Sequence, residues 1–398
     1  MPQATAVLAL SAMTSAYVAV LGVAAATTLL LTPVVRWVAV RRGALVPPDA
    51  RRVHEQPTAA LGGLAMWAGV LAGLVTAWRL DTFALLFDTP TVPIGIGAAA
   101  TASAFTGWLD EVRKVHGSGV SAPAKTAGLV VAGSILSFAG VSTVFFRMPF
   151  FGIFSLSPDL SAFVTVCWVV GMANAINLID GLDGLAAGIV AIASGAFLLY
   201  GLRLDEVGVL APGNAGPMVA VITLGACVGF LPWNVHPARI FMGDCGALML
   251  GVLMAASTMS VGGSTDASYS GQSFFFLAPF FIPLVILGVP ILDTVFAIIR
   301  RASSRSGVAT ADKEHLHHRL LRLGHGHRRA VFILWTWTAL LSGSVLYPAL
   351  TNRGDALVPL ALGGLALLLY TVLHPGARRS RVDAVRLPDR SDDEVRRP

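Results

Sequence analysis

Apolar runs of about 20 residues recur along most of the chain, and they limit its fold more than any other feature. A helix of that length matches the roughly 30 Å hydrocarbon core of a bilayer. The runs fall at roughly 16–38, 60–78, 93–108, 123–146, 160–177, 184–203, 216–234, 245–261, 273–299, 330–350 and 356–374, which makes about eleven candidate spans, the third of them short. Only 13% of the 398 residues are charged, about half of what an ordinary soluble domain carries. Mean hydropathy is +0.73. A soluble domain, a disordered chain, collagen and a coiled coil are all excluded, and the expected class is an all-α polytopic membrane helix bundle.

Basic residues choose the sides. The first 35 residues contain no Lys or Arg, so the basic start of a cleavable signal peptide is missing and the first run is expected to remain as a helix with the N-terminus outside. With eleven spans, 24 of the 28 Lys and Arg fall on one side, leaving Arg79, Arg147, Arg203 and Arg353 on the other. The rule that cytoplasmic loops are enriched in Lys and Arg makes the richer side cytosolic. Residues 1–374 then form one membrane domain whose cytosolic loops (about 39–59, 109–122, 178–183, 235–244 and 300–329) carry the site, and 375–398 form a disordered basic cytosolic tail. The net charge of +6 is assigned to inner-leaflet anionic lipid and not to nucleic acid. Cys167, Cys227 and Cys245 show no disulfide or zinc spacing and read as small apolar residues.

The polar residues that solubility does not explain gather in those loops. In VPPDARRVHEQPTAALGG (46–63), Gly62–Gly63 opens a helix, which suits a structural turn beside a cationic patch or a close approach to an anion. In GWLDEVRKVHGSGVSAPAK (107–125), Asp110 and Glu111 stand side by side at the end of the third span. Adjacent carboxylates repel unless a cation offsets them, and the offset is a bound divalent metal or Arg113 and Lys114.

NAINLIDGLDGLAAG (174–188) is the most informative stretch. Asn174, Asn177, Asp180 and Asp183 recur every third residue, so any helical portion aligns them on one face, and no Lys or Arg lies between 148 and 202. Ionisable groups at a membrane boundary mark function, because removing them from water costs several kcal/mol unless something is bound or paired. WNVHPARIFMGDCGALMLG (233–251) sets Asn234, His236, Arg239 and Asp244 in a short loop with Gly243 and Gly246 beside the acid, which lets amides and a carboxylate converge on a metal–phosphate group.

ADKEHLHHRLLRLGHGHRR (311–329) offers His315, His317 and His318 with Arg319 and Arg322 close by. No Cys is near, so a site for phosphate oxygens fits better than zinc, with a plain interfacial basic helix as the alternative. Asp293 lies about seven residues before Arg300, roughly 10 Å below the interface at 1.5 Å per residue. It either pairs with a cation or supports the site from behind.

Five acids (Asp110, Glu111, Asp180, Asp183 and Asp244) thus face the cytosol, with His and Arg supplied by neighbouring loops. A hard cation such as Mg²⁺, with Mn²⁺ as a substitute, takes carboxylate and phosphate oxygens and stabilises charge in phosphoryl transfer. The pattern argues for a membrane enzyme joining a nucleotide-linked donor to a lipid acceptor. A transporter or flippase would string its charges across the midplane, whereas these gather at one face. A CDP-alcohol phosphotransferase is disfavoured because no Ala-Arg follows Asp180–Gly181 at the needed spacing.

The runs NAINLIDGLDGLAAG, FMGDCGALMLG, RRVHEQPTAALGG and DKEHLHHRLLRLG, in order over about residues 46–329, resemble the signature blocks of the polyprenyl-phosphate N-acetylhexosamine-1-phosphate transferase superfamily (MraY/WecA-like). HLHH resembles its GlcNAc-1-phosphate branch more than the MurNAc-pentapeptide branch. The resemblance implies transfer of GlcNAc-1-phosphate from UDP-GlcNAc to a polyprenyl phosphate with Mg²⁺, and it allows a homodimer. Carried over, Asp244 would bind Mg²⁺ with Asp110, which would also position or deprotonate the lipid phosphate. Asn174, Asn177, Asp180 and Asp183 would face the nucleotide-sugar, with Phe241 and Asn234 near the uridine. Lys125, Arg319, His315, His317 and His318 would hold phosphate oxygens. The family usually has Asp-Asp where this chain has Asp110–Glu111. One extra methylene displaces a tightly held ligand by about an ångström, an error that can cost about a hundredfold in rate. Either the second acid has a looser role, or activity is altered, as in an inactive relative.

Overall fold

The computed structural model describes residues 2–46, 57–115, 117–143, 145–148, 152–262, 287–289, 291, 295, 320–321, 323–351 and 357–373. Within them run α1 (Pro2–Arg41), α2 (Gly62–Trp78), the short α3 (Ala84–Phe87), α4 (Thr91–Val115), α5 (Ala122–Phe138), α6 (Pro158–Ile179), α7 (Leu185–Glu206), α8 (Gly216–Asn234), α9 (Gly243–Gly262), α10 (His327–Thr351) and α11 (Leu357–Leu373). Two antiparallel two-stranded ribbons, β1–β2 (Leu45–Val46 with Thr58–Ala59) and β3–β4 (Phe145–Met148 with Gly152–Ser155), are the strands among the described residues.

Among the described residues seven helices are long and apolar enough to cross a membrane, and α2 with the segment up to Phe87 forms an eighth candidate bent by 89°. The expectation of about eleven is met by fewer full-length spans among the described residues: α5 and α11 are shorter apolar helices. The ninth expected run, 273–299, with Asp293, lies outside the described residues except at isolated positions. The fourth run was expected to continue to 146, but α5 stops at Phe138, and Phe145–Met148 pairs as a strand. Aromatic residues there fit a pleated surface as well as a helix, so hydropathy alone ran the two together.

The third span differs in the other direction. Expected to end near 108, α4 continues to Val115. Lys114 lies 2.5 Å from Asp110 one turn below it, a spacing that stabilises helix and not loop. Asp110 and Glu111 therefore ride on a rigid helix.

α9 is the axis of the bundle. It packs against α2, α4, α6 and α8, and 94% of its spanning window is buried. Helix association in lipid depends on close packing through small residues, and the glycines show it. A Cβ at Gly251 would collide with Ala173 of α6, one at Gly229 with Ala25 of α1, and one at Gly107 of α4 with the backbone of Asp244 and Cys245. The last contact brings α4 directly onto the first turn of α9.

Candidate active site

Four chain segments meet at that end of the bundle. The strand leading into α2 is pinned to the loop before α9 by Phe241 N–H to Ala59 O (2.8 Å), Gly62 N–H to Phe241 O (2.9 Å) and Gly63 N–H to Met242 O (2.9 Å). The Gly62–Gly63 amides are thus spent on the scaffold, and of the two readings of that pair the structural turn is the one observed. Arg36 of α1 also donates to Arg239 O at 2.9 Å.

The first side-chain cluster lies between α4, α5 and α9. Asp110 is fully buried. Its Oδ1 accepts from Val120 N–H at 2.6 Å, and its Oδ2 faces Lys114 Nζ at 2.5 Å and Lys125 Nζ at 2.7 Å. Asp244 Oδ2 lies 2.6 Å from Lys125 Nζ and 3.5 Å from Lys114 Nζ. One ammonium group therefore bridges two carboxylates from different helices. Glu111 is buried, and its Oε1 accepts from Cys245 N–H at 3.1 Å. Beside it opens a cavity of about 100 Å³ lined by Ala44, Leu45, Ala60, Leu61, Lys114 and Asp244 among others.

The fit of this donor set to a divalent cation can be tested on the structure itself. Two carboxylate oxygens already converge on one positive charge, and Asp244 reaches the cavity. Oxygen donors of this kind suit Mg²⁺. The residues present fit the ion.

A second cluster forms where α6 ends. Asp180 terminates the helix, and Asp180–Gly184 turn before α7. The face expected of the helical portion therefore covers Asn174 and Asn177, and the three-residue rhythm continues past the point where the helix stops. Asn174 donates to Val170 O in its own helix at 2.7 Å. Asn177 and Asp180 are half-buried. Asp183 turns inward, where Oδ2 meets His236 Nδ1 at 2.8 Å and accepts from Ala238 N–H at 3.0 Å, while its own N–H donates to His327 Nε2 at 2.9 Å. The His236 and His327 rings stack with centroids 4.3 Å apart. Asn234 accepts from Gly184 N–H and donates to Ile240 O, both at 3.0 Å.

Asp183, His236 and His327 bring three metal-type donors within 4.8 Å of one another. The His327 Nε2 lone pair is used by an amide, however, and Asp183 Oδ2 already holds two partners. The chemistry of this group is that of a clasp on the loop 235–242. Asp110 and Asp244 meet through Lys125, Asp183 meets His236 and His327, and the segment from His236 to Asp244 joins the two sets of contacts. Phe241 is half-buried in it. His315, His317, His318, Arg319 and the tail 375–398 lie outside the described residues.

Residues 93–262 match the family model described as Glycosyl transferase family 4. A decaprenyl-phosphate N-acetylglucosaminephosphotransferase of Mycolicibacterium smegmatis is 35% identical over 88% of this chain and 86% of its own length. One of Mycobacterium leprae is 36% identical over 89% of each. A probable undecaprenyl-phosphate N-acetylglucosaminyl 1-phosphate transferase of Bacillus subtilis is 35% identical over 78% of each. Identity this high over most of both chains decides the family. The chain belongs to the polyprenyl-phosphate N-acetylhexosamine-1-phosphate transferase superfamily.

In this superfamily member, Lys114, which the sequence suggests only for charge balance, contacts two of the three acids of the first cluster, Asp110 and Asp244. His327 had been read as part of a basic segment, and it anchors Asp183 from α10. No local spacing signals that pairing, which joins residues 144 apart.

Proposed function

We propose that this membrane protein transfers GlcNAc-1-phosphate from UDP-GlcNAc to a polyprenyl phosphate, yielding polyprenyl diphosphate-GlcNAc and UMP. The observation that carries the reading is the bridged pair Asp110–Lys125–Asp244, whose Asp244 lines a cavity, in a chain whose relatives are named for this reaction. An oxygen of the lipid phosphate attacks the sugar-bearing phosphorus. The bond from that phosphorus to the bridging oxygen breaks, and UMP leaves with the electron pair.

Each residue has a part that follows from its placement. Asp110 and Asp244 would hold Mg²⁺, or Mn²⁺ in its place, and the bound ion would neutralise charge on the diphosphate. Lys114 and Lys125 attract phosphate oxygens as point charges. Asp110, with Oδ1 held by Val120 N–H and Oδ2 by both lysines, keeps the two ammonium groups beside Asp244. The Asp183–His236–His327 clasp and the Asn234 staple hold the loop that presents Phe241 to the uridine and Asp244 to the ion. Asn177 and Asp180 face the nucleotide-sugar, and His315, His317, His318 and Arg319 add phosphate contacts.

Orientation follows from charge. Arg36, Arg113, Lys114, Lys125, Arg239 and Arg328 belong to the site end of the bundle, while Arg79 and Arg203 follow or close helices at the other. The richer end belongs in the cytosol, with anionic inner-leaflet lipid around it, in the cytoplasmic membrane. Self-association within that membrane is compatible with the reading.

Purified protein in detergent with labelled UDP-GlcNAc and a polyprenyl phosphate tests this. Label is expected in the lipid phase only with Mg²⁺ or Mn²⁺, and less from UDP-GalNAc or UDP-MurNAc-pentapeptide. No lipid-borne label from any of the three donors refutes the reading.

A further inference from the structure

We propose that Glu111 is a positioning residue that caps α9 and thereby aims Asp244, so that its length and not its charge is what the site requires. The first turn of any helix leaves backbone N–H groups without partners inside the helix, and usually the residue at the cap supplies an acceptor. Here Met242 and Gly243 have no side-chain oxygen, and the Asp244 carboxylate is drawn to Lys125. The acceptor comes from another helix: Glu111 Oε1 takes the Cys245 N–H at 3.1 Å.

The geometry around that bond is fixed on both sides. One turn below Glu111 on α4, Gly107 packs against the Asp244 and Cys245 backbone so closely that a Cβ would collide. At Gly243, φ is +66°, and a Cβ would strike Glu111 Oε1 and Ala60 O. The spacing of α4 from α9 is therefore set by glycine contacts, and the side chain at 111 must bridge what remains. An Asp there would stop short by about one C–C bond, 1.5 Å, stretching a 3.1 Å hydrogen bond past the roughly 3.5 Å at which it ceases to be one. Cys245 follows Asp244 directly, so loosening its amide re-aims the carboxylate beside it. The departure from Asp-Asp at 110–111 is on this account a fitted part of the site and not a defect.

The kinetic arm of the test rests on the transferase reading, and a second arm does not. Three variants of the full-length protein are compared: Glu111→Gln, which keeps an oxygen at the same reach; Glu111→Asp, which keeps the charge and loses the reach; and Glu111→Ala. With labelled UDP-GlcNAc, Glu111→Gln is expected to stay within about fivefold of the parent, since a neutral amide oxygen still accepts the bond. Glu111→Asp and Glu111→Ala are expected to fall about a hundredfold, as a misplacement near an ångström does, with the Mg²⁺ concentration for half-maximal rate raised. Amide exchange over residues 243–246, measured without substrate, is expected to keep parental protection in Glu111→Gln and to lose it in Glu111→Asp. If Glu111→Asp equals or exceeds Glu111→Gln in both arms, or if both variants match the parent, the proposal is overturned. Should the parent transfer no label, the transferase reading fails while the exchange arm still decides the cap.

Discussion

Lys125 Nζ lies 2.6 Å from Asp244 Oδ2, a contact between residues 119 apart in the chain that ties α5 to the start of α9. The same ammonium is 2.7 Å from Asp110. Replacing it by an apolar side chain of similar length, Lys125→Met, leaves two carboxylates facing each other with Lys114 as the remaining bridge. Losing one partner of a hydrogen-bonded charge pair costs about 2–5 kcal/mol when buried, and the 23% exposure of Lys125 lowers that to about 1–2 kcal/mol. A lower thermal midpoint that added Mg²⁺ restores is expected, together with at least tenfold slower transfer. A midpoint equal to the parent's with and without Mg²⁺ would contradict the bridging role.

Asp244→Asn separates structure from chemistry at the same point. Asn still accepts a hydrogen bond from Lys125, so the fold is expected to hold. A hard divalent ion binds an amide oxygen more weakly than a carboxylate, and label transfer from UDP-GlcNAc is expected to fall below 1% of the parent, about the 10²–10³ range typical of losing one charge-stabilising group. In the parent, EDTA is expected to stop transfer and Mg²⁺ or Mn²⁺ to restore it. Transfer that survives chelation would remove the ion from the mechanism.

The clasp on the loop 235–242 yields a different signature. Asp183 joins a backbone amide, a loop imidazole and a histidine of α10. Asp183→Ala removes the acceptor of the Ala238 N–H and of the His236 ring, while the backbone N–H to His327 stays. Each unmet donor costs about 1–3 kcal/mol when buried, so a drop in thermal midpoint toward the low end of that range is expected along with loss of transfer. Asp183→Asn keeps one acceptor oxygen and is expected to recover most of the midpoint. Equal midpoints for the two variants would mean that the carboxylate does not hold the loop.

Ten of the eleven apolar runs reappear as helices, because hydropathy over 20 residues is decided by the solvent and needs no knowledge of neighbours. The three acids of the bridged cluster, Asp110, Glu111 and Asp244, were also legible, since acids at a membrane boundary are costly without a purpose, and Lys125 was reached through the family resemblance. Their geometry was not. That Glu111 reaches a Cys245 amide depends on how closely α4 and α9 approach, which is set by Gly107 and Gly243 across more than a hundred residues of chain. The Asn174–Asp183 rhythm aligns a face only as far as the helix runs: α6 ends at Ile179 with Asp180 at its cap, and Gly181 just beyond is the residue type that commonly stops a helix, whereas the inward turn of Asp183 depends on partners more than 50 residues away.

The glycine contact between α4 and α9 supplies a final test with its own control. Gly107→Ala adds one methyl where the Asp244 carbonyl and the Cys245 amide already stand, and the backbone of a fully packed helix cannot yield as a flexible side chain would. Overpacking of this kind costs about 1–3 kcal/mol, offset by the roughly 0.5–1 kcal/mol that Ala gains over Gly in a helix. At Gly22 in α1 a Cβ meets nothing within 4 Å, so Gly22→Ala receives the helix gain alone. Gly107→Ala is therefore expected to lower the thermal midpoint and slow transfer by shifting Asp244, while Gly22→Ala leaves transfer unaltered and the midpoint equal or higher. Equal behaviour of the two variants would show that the α4–α9 approach does not set the site.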